Sequence, residues 1–325
     1  MKVLVVRFSS IGDIVLCTPV VRCLKEQLPN VVVHFATKAS YVSLLTHNPH
    51  IHTVHALGDD WHEFISRLEE EGFDRIIDLH NNLRSRRLAL SLGVKRNPFD
   101  KINVEKWLMV NLKVDRLPDV HIVNRYLRTV EDLGVKNDDK GLDFYLPEDL
   151  DDTALGQLPE VYVCFAIGGQ HATKKLPPAS IAELLSKAQG TVVLLGGPED
   201  QVLGKTLAER FENVVNMCGE LSLLQSALAI QRSSAVITHD TGMMHIAAAF
   251  GKNVISLWGN TIPAFGMYPY KAGEDSEMFE VEGLKCRPCS KIGFDRCPKG
   301  HFRCMTDQDL DLIAEKASVL SRKEH

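Results

Sequence analysis

The sequence predicts an α/β protein with two doubly wound parallel sheets. Along its 325 residues, short apolar runs typical of buried strands alternate with amphipathic stretches of helical length. The alternation occurs in two successive series, and polar loops that contain glycine directly follow several of the apolar runs. Strands that alternate with helices form parallel sheets through right-handed crossovers, so each series predicts one sheet.

The first series spans residues 1–152. Its predicted strands are residues 3–6, 31–36 and 75–79, and its predicted helices are residues 20–28, 61–70 and 119–133. Pro19 leaves two alternatives open, because it either lies in the first turn of a helix capped by Thr18 or kinks a helix that begins near Asp13. A polar link and an acidic run at 148–152 predict the domain boundary.

The second series spans residues 153–305 and has the more regular pattern. Its predicted strands are residues 161–167, 191–195, 214–216, 235–238 and 253–257, and a helix is predicted between each pair of strands, for example at 180–189. A last helix is predicted at 306–316, within a C-terminal segment 306–325.

Composition and charge narrow the class of protein. Hydrophobic residues make up 45% of the chain and its net charge is −5, which argues against disorder and against a general nucleic-acid binder. The chain opens directly on a predicted strand, with no leader and no apolar run as long as a membrane span. We therefore expect a cytoplasmic protein, in which the isolated Cys17, Cys23, Cys164 and Cys218 are reduced core residues.

The first predicted strand ends in a loop of small residues with one carboxylate. Ser9, Ser10 and Gly12 allow the backbone to wrap closely around a ligand, and Asp13 would project from the loop. A structural alternative is that Asp13 caps a helix and Gly12 forms its turn. Ligands of parallel sheets bind at the carboxyl ends of the strands, so this loop is a candidate site.

Two loops of the second series are compatible with a bound phosphate. The loop after its first strand contains Gly169, Gln170 and Lys174, which is the first of two adjacent lysines. The loop after its second strand contains Gly196 and Gly197. The glycines permit close backbone approach, and the lysine adds positive charge that suits a diphosphate.

The segment 234–251 carries the clearest ligand signal. An apolar strand leads directly into Asp240, Thr241 and Gly242, which open an alanine-rich helix that also contains His245. The first N–H groups of a helix lack partners within it and attract anions, so this turn predicts phosphate binding without a basic side chain. An ordinary helix cap remains the alternative at this point.

A basic stretch follows the third predicted strand of the first series. Asn81, Asn82, Arg84 and Arg87 are candidates to bind an anionic acceptor or the inner face of a membrane, and a solvated helix face is the alternative. The basic residues of the stretch are Arg84, Arg86, Arg87, Lys95, Arg96, Lys101 and Lys106.

Four cysteines near the C-terminus have the spacing C-x2-C-x7-C-x6-C. Such a set of thiolates can close a tetrahedral zinc site of a structural kind, for which His301 is a substitute ligand. Reduced thiols without metal are the alternative. The cysteines of this segment, 286–304, are Cys286, Cys289, Cys297 and Cys304.

Five segments together resemble the ADP-heptose lipopolysaccharide heptosyltransferases of glycosyltransferase family 9. They are residues 7–19, 78–85, 174–177, 194–198 and 240–249. The resemblance implies the GT-B architecture, in which two Rossmann-like domains face a central cleft and the C-terminal helix packs back on the N-terminal domain. It also implies an inverting transfer of a heptose or similar sugar, without a catalytic metal, from a nucleoside-diphosphate donor to a lipid-linked core acceptor.

The resemblance also implies roles for particular residues. Asp13 matches the general base of the family and Lys174 its diphosphate-binding lysine, while the motif that begins at Asp240 matches its donor-binding segment. The expected partners are an ADP-sugar, a lipid-linked core oligosaccharide and the inner membrane surface, with no nucleic acid. The family usually has tryptophan at the position of Leu176, so the packing beneath the donor is expected to differ.

Two other functions fit the same architecture at this stage. A nucleotide-sugar epimerase or hydrolase would consume donor without an acceptor. A non-catalytic nucleotide-sugar-binding protein would bind donor without turnover. We favour the transferase, because the carboxylate loop and the phosphate loops belong to different predicted domains, which suits the joining of two substrates.

Overall fold

The computed structural model describes residues 1–322 of the chain. They form two compact units, each built on one parallel sheet. The first unit consists of Met1–Ile102 and Val120–Pro147, and the second consists of Asn103–Asp119 and the residues from Glu148 onward. The prediction of two doubly wound parallel sheets is confirmed.

Strands and α-helices alternate through most of the described chain. The strands are β1 (Lys2–Val6), β2 (Val32–Lys38), β3 (Thr53–Leu57), β4 (Arg75–Asp78), β5 (Arg96–Pro98), β6 (Val163–Ala166), β7 (Val192–Leu195), β8 (Val214–Asn216), β9 (Ala235–His239), β10 (Asn253–Trp258) and β11 (Glu277–Glu280). The helices are α1 (Ile11–Val15), α2 (Thr18–Gln27), α3 (Trp61–Glu71), α4 (Leu83–Leu92), α5 (Asn103–Leu112), α6 (Ile122–Leu127), α7 (Pro178–Lys187), α8 (Gln201–Arg210), α9 (Leu223–Arg232), α10 (Gly242–Ala249), α11 (Arg303–Thr306) and α12 (Leu310–Leu320).

The first unit has the strand order β3-β2-β1-β4-β5, and every pairing is parallel. The chain winds outward from β1 in one direction and then from β4 in the other, so the order reverses between these two strands. In open sheets of this kind the loops at the carboxyl edge beside the reversal form the ligand site. The loops after β1 and β4 meet this description.

The second unit has the strand order β11-β10-β9-β6-β7-β8, again with parallel pairings. Its order reverses between β6 and β9, so the loops after these two strands lie beside the reversal. Phe165, Leu194, Ile237 and Ile255 are completely buried and form the core on which the helices pack. Burial of side chains of this size stabilises the fold by about 1.5–3 kcal/mol each.

The sequence pattern missed the edge strands β3, β5 and β11, whereas it predicted the edge strand β8. Strand β3 is only partly buried along most of its length, and β5 and β11 expose part of theirs. Half-exposed strands lack the continuous apolar run that identifies a strand buried on both faces. The predicted helix 119–133 is α6 followed by a 3-10 segment, Arg128–Leu133.

The start of the first unit resolves the alternatives for Pro19. Helix α1 ends at Val15, and a separate helix, α2, begins at Thr18 with Pro19 in its first turn. Proline fits the first turn because its missing N–H has no partner there in any helix. Cys17, rather than Thr18, occupies the N-cap position of α2.

The domain boundaries differ from the prediction in two ways. The main boundary lies between residues 147 and 148 rather than at 152, and α5 groups with the second unit although it lies within the first series. The C-terminal helix is also corrected. Helix α12 packs on α7, β9 and β10 of the second unit and buries Ile313 and Ala317 there, instead of joining the N-terminal domain as expected. Residues 323–325 of the predicted C-terminal segment lie outside the described residues.

Within residues 1–322, no helix combines the length and the apolar character needed to cross a membrane.

Candidate functional site

A buried guanidinium organises the loop after β1. Arg7 donates from Nε to the Ser9 carbonyl at 2.7 Å. Its Nη1 donates to the Leu79 carbonyl at 2.6 Å and to the Tyr126 hydroxyl at 3.1 Å. Its Nη2 lies 2.6 Å from Oδ1 of Asp13. Asp13, the carboxylate predicted from the sequence, therefore has a fixed cationic partner.

The rest of the Asp13 carboxylate is held by its own loop. Its Oδ2 accepts hydrogen bonds from the backbone N–H of Ser10 at 3.2 Å and from the Ser10 hydroxyl at 3.1 Å. Burial alone would raise the pKa of Asp13, but the charge of Arg7 and the bonds from Ser10 outweigh burial, so the pKa lies below its usual value. The side chain keeps 19% of its surface exposed, so the carboxylate is not sealed from solvent.

A second buried carboxylate organises the turn after β4. Asp78 is fully buried, and its Oδ1 accepts from the backbone N–H groups of His80 at 3.0 Å and Asn81 at 2.7 Å. Its Oδ2 accepts from Nε of Arg96 at 2.7 Å. Burial lowers the pKa of His80 to about 4, so its ring, which packs edge-on against Phe8, is neutral near pH 7.

The two candidate asparagines of this turn make bonds within the first unit. Asn81 donates to the Phe99 carbonyl at 2.8 Å and accepts from Nη2 of Arg96 at 2.6 Å. Asn82 caps α4 by accepting from the N–H of Ser85 at 2.9 Å. These contacts are structural ones, and the role of both residues in acceptor binding stays a prediction.

The candidate arginines line a pocket of about 830 Å³ in the first unit. Arg84 and Arg87 at the start of α4 face it together with Lys38 and Trp61, and Asp59 is its acidic residue. The Arg87 guanidinium lies 5.5 Å from the centroid of the Trp61 ring, a cation–π contact. The pocket opens between loops at the carboxyl ends of β2 and β3, and its lining has three basic side chains against one acidic side chain.

The basic stretch does not form one surface. Arg96 pairs with Asp78, and Lys95 lies 3.2 Å from Asp132. Lys106 belongs to the second unit, where its ammonium lies 5.7 Å from the ring centroid of Phe265. Only part of the predicted stretch, Arg84 and Arg87, therefore lines the pocket.

In the second unit, Lys174 and Asp240 come together from two different loops. Nζ of Lys174 lies 2.6 Å from Oδ2 of Asp240 and donates to the Asp240 carbonyl at 3.2 Å. The hydroxyl of Thr261, in the loop after β10, donates to the same carboxylate oxygen at 2.8 Å. The carboxylate thus holds the lysine ammonium beside the start of α10.

Helix α10 begins where the sequence predicts a turn that binds an anion, and the anion binding stays a prediction. Thr241 occupies the N-cap position with extended backbone, but its side chain makes no capping hydrogen bond. Its hydroxyl lies 3.3 Å from that of Thr238 instead. The N–H groups of the first turn, which begins at Gly242, therefore lack a side-chain cap. His245 lies one turn further on and is 2% exposed.

The predicted glycines bring backbone segments into close approach. A Cβ at Gly169 would lie 3.1 Å from Cγ2 of Thr241, and one at Gly196 would lie 2.8 Å from Cβ of Asp200. The N–H of Gly197 donates to Asp200 at 3.1 Å, and Gln170 is exposed on the loop after β6. The loops after β6 and β9 are thus packed against each other, and the loop after β7 folds closely on itself, which needs residues without side chains.

A buried histidine fixes the loop that carries the lysine. The N–H of Leu176 donates to Nε2 of His239 at 3.0 Å. Burial lowers the pKa of His239 to about 3, so the ring is neutral and its nitrogen can accept. Leu176 is 3% exposed and belongs to the core of the unit. A buried aliphatic side chain thus occupies the position where the family usually has tryptophan.

The four C-terminal cysteines are free thiols and lie in the second unit. Sγ of Cys286 is 3.7 Å from Nε2 of His301, and Sγ of Cys289 donates to the Cys286 carbonyl at 3.1 Å. Burial raises the pKa of Cys304 to about 12. Among residues 1–322, the set of three or more possible metal ligands within 4.8 Å of one another lies at a different place, and these cysteines are not part of it.

Several contributors to these sites were not selected from the sequence. Arg7 was a detectable one, since a charged residue that ends an apolar strand beside a ligand loop indicates a buried partner. Thr261 lies in the loop that follows β10, and the other site residues also lie in loops that follow strands. His239 gave no signal, because its contact with the lysine loop joins residues 63 positions apart.

Comparisons with known proteins agree with this architecture. The model of glycosyltransferase family 9 (heptosyltransferase) matches residues 61–293. Lipooligosaccharide heptosyltransferase 2 of Haemophilus influenzae is 25% identical over 99% of this chain and 100% of its own length.

Two solved structures share the fold at 20% sequence identity. A family 9 glycosyltransferase from Veillonella parvula has a TM-score of 0.74, with 98% of this chain and 97% of its own covered. The ADP-heptose LPS heptosyltransferase II of Escherichia coli has a TM-score of 0.73, with 99% and 98% covered. The predicted GT-B class of the fold is confirmed.

Proposed function

Because the chain belongs to glycosyltransferase family 9, the heptosyltransferase family, we propose that it transfers a heptose from ADP-heptose to the inner core of a lipopolysaccharide. The observation that carries this proposal within the chain is the Lys174 ammonium held beside the uncapped start of α10. A lysine and free helix N–H groups suit the diphosphate of a nucleotide sugar. The curated relative from H. influenzae, named as a heptosyltransferase, supports the choice of sugar.

The donor diphosphate is proposed to bind in the second unit. Its oxygens would accept from Lys174 and from the N–H groups at Thr241 and Gly242, and Gly169 leaves room for close approach to the backbone. Negative charge grows on the diphosphate as the sugar departs, so these donors stabilise the transition state more than the bound donor. The proposed mechanism assigns to them the role that a metal ion has in other transferases.

Asp13 is proposed to be the general base. For inversion, an acceptor hydroxyl attacks the anomeric carbon from the face opposite the diphosphate, and a carboxylate takes its proton as the oxocarbenium-like state develops. The depressed pKa keeps Asp13 ionised near pH 7. Arg7 holds the carboxylate in one orientation, which general base catalysis requires.

The acceptor is proposed to bind in the basic pocket of the first unit. Arg84 and Arg87 offer planar donors that fit carboxylates and phosphates, the anionic groups expected on a lipopolysaccharide core. Trp61 adds an aromatic face on which a sugar ring can pack. Charge reversal, Arg84→Glu with Arg87→Glu, is expected to raise the KM for acceptor and to leave donor binding unchanged, as measured by transfer kinetics and calorimetry.

Contact with an anionic membrane surface is proposed for α5. This helix exposes Val104, Trp107 and Leu112, each more than half accessible, and Lys106 lies among them. Tryptophan and basic residues are typical of segments that lie at a lipid interface. Binding to vesicles with anionic lipid, but weaker binding after Trp107→Ala, is expected in a sedimentation assay. Equal binding by both proteins would contradict this role of α5.

The experiment that tests the function combines a donor screen with a transfer assay. Thermal shifts with ADP-, GDP- and UDP-sugars are expected to be largest for ADP-heptose, because ligand binding to the folded state raises its stability. Heptose transfer to a core acceptor that lacks heptose, followed by mass spectrometry, is the expected reaction. Consumption of donor at the same rate without acceptor would favour an epimerase or hydrolase, and binding without turnover would favour a sensor.

We propose separately that the four C-terminal cysteines bind a structural zinc ion. The support is their spacing and their location in one segment, although the sulfurs would have to move closer to complete a tetrahedral set. Metal analysis of the purified protein and of a Cys286→Ser, Cys289→Ser variant tests it. About one zinc per chain in the parent, lost in the variant, is the expected result.

A further inference from the structure

Three side chains with metal-binding atoms converge at the amino edge of the first sheet. His34 lies on β2, His55 on β3 and Glu71 at the end of α3, and one ligand atom from each lies within 4.8 Å of the other two. Nδ1 of His34 and Nε2 of His55 are 2.8 Å apart, and the two rings are stacked at an interplanar angle of 13°. This cluster is separate from every residue assigned a role above.

The cluster lies at the opposite end of the strands from the Asp13 loop. His34 is near the start of β2, and Glu71 shortly precedes β4, whereas the Asp13 loop follows the end of β1. In a parallel sheet the starts of the strands share one edge and their ends share the other. The cluster is therefore away from the carboxyl edge, where the reaction is proposed.

The surroundings of the cluster are preorganised. His34 is 1% exposed, and its ring packs edge-on against Phe73 at 5.1 Å between centroids. The ring of His52 also packs against the ring of His34, at 5.4 Å between centroids. Nε2 of His34 is buried and has no hydrogen-bond partner among the described residues. Nδ1 of His34 and Nε2 of His55 already face each other in the cluster, so these two nitrogens are its candidate ligand atoms.

The donor set and its spacing indicate the class of ion. Two imidazoles and one carboxylate are ligands that zinc takes in tetrahedral sites, with a water in the fourth position. Two nitrogens bound to such an ion lie roughly 3.3 Å apart, given bonds of about 2.0–2.1 Å and a tetrahedral angle. The observed 2.8 Å requires the two rings to separate by only a fraction of an ångström.

The charges around the cluster define what a cation must displace. Nζ of Lys2 lies 2.8 Å from Oε2 of Glu71 and donates to its carbonyl at 2.7 Å. Arg67 is the other cationic group whose charge acts on His55, and Glu71 is the acidic group that faces both histidines. An incoming divalent ion would compete with Lys2 for the carboxylate.

We propose that His34, His55 and Glu71 form a binding site for zinc or a similar divalent transition metal, which joins β2, β3 and α3 at the amino edge of the first sheet. The ion would tie an edge strand, which is held on one side only, to its neighbour and to the helix that packs beside them. The site would stabilise the first unit without a part in the sugar transfer.

The test titrates Co²⁺ into chelator-treated protein that carries Cys286→Ser and Cys289→Ser, so that the C-terminal thiolates do not contribute. We expect visible absorption typical of tetrahedral Co²⁺ without a sulfur charge-transfer band, and a rise in melting temperature on binding. His55→Gln and Glu71→Gln should each weaken binding by about a hundredfold or more, since even outer partners of metal ligands are worth roughly ten- to a hundredfold. His47→Gln, an exposed histidine of the same unit, is the matched control.

A variant with the opposite expected effect guards against misfolding as the explanation. Lys2→Met removes the cation that competes for Glu71, so it should tighten Co²⁺ binding severalfold. Unchanged Co²⁺ affinity in His55→Gln, or the same loss in His47→Gln, would overturn the proposal. Weaker binding in Lys2→Met would also overturn it, because the ion would then not use the carboxylate that Lys2 holds.

Discussion

Each unit carries a basic and an acidic side chain paired at 2.6 Å in the loops at the carboxyl edge of its sheet, and the two pairs are built differently. In the first unit, Arg7 has three further acceptors besides Asp13, all within the same unit. In the second unit, the contacts of the Lys174 ammonium are both to Asp240, one to its carboxylate and one to its carbonyl.

The difference separates a fixed pair from an exchangeable one. Arg7 cannot separate from Asp13 without losing its hydrogen bonds to the backbone carbonyls of Ser9 and Leu79. The guanidinium therefore holds the Asp13 carboxylate in one position. The Lys174 ammonium contacts Asp240 alone among these groups, so we propose that it exchanges this carboxylate for the phosphate of the donor. In the proposed mechanism, the group that acts on the substrates is the Asp13 carboxylate in the first pair and the Lys174 ammonium in the second.

The largest expected effect tests the fixed pair. Asp13→Asn keeps the size of the side chain but removes the proton acceptor, so kcat should fall by about two to four orders of magnitude, as for loss of a general base. Donor affinity, measured by calorimetry, should change little. Asp309→Asn, at the N-cap of α12 where asparagine caps equally well, is the control. A kcat close to that of the parent would reject Asp13 as the base.

The next effect tests the exchangeable pair. Lys174→Met should weaken donor binding and lower kcat by roughly two to three orders of magnitude, because the lost charge stabilises the departing diphosphate. Lys175→Met is the matched control, since that neighbour lies 3.3 Å from Asp200 instead. Transfer kinetics and donor calorimetry on both variants give the comparison. A larger loss in the Lys175 variant would show that the wrong lysine has been assigned.

These two pairs also show what the sequence could predict. The loops that carry Asp13, Lys174 and Asp240 were predictable, because small and polar residues directly follow apolar runs and parallel strands share one carboxyl edge. Their partners were harder to find, because the Arg7 contacts with Leu79 and Tyr126 join residues 72 and 119 positions apart. Such contacts depend on strand order, which the periodicity of one chain does not give.

The errors have a similar cause. The C-terminal helix was expected on the first domain, but the apolar face that includes Ile313 fits the core of the second unit. Residues 103–119 were placed in the first domain because they lie within the first series, although the structure groups them, with α5, in the second unit. An amphipathic pattern shows that a face is buried and does not show which sheet buries it.

A smaller effect, on pH dependence, tests the positioning role of Arg7. Arg7→Lys keeps the charge but loses the planar fork that reaches four acceptors, so Asp13 should be held less firmly. Because Arg7 lowers the pKa of Asp13, weakening the pair should raise that pKa. Asp13 acts as the carboxylate, so the acidic limb of the kcat/KM profile should move to higher pH, together with a modest fall in kcat. A profile with an unmoved acidic limb would assign Arg7 a structural role alone.

The smallest expected effect tests whether the pair of Lys174 and Asp240 is exchangeable. Thr261 donates to the oxygen of Asp240 that holds Lys174, so Thr261→Val removes one of the bonds that orient this carboxylate. A hydrogen bond of this kind is worth about 0.5–1.5 kcal/mol, which predicts a change of roughly two- to tenfold in the KM for donor, with kcat nearly constant.

Tyr126→Phe removes one bond of the same kind from Arg7 and serves as the matched variant of the fixed pair. Since Arg7 retains its other acceptors, that variant should leave the KM for donor unchanged. If instead Tyr126→Phe shifts donor KM and Thr261→Val does not, the division into a fixed and an exchangeable pair is wrong.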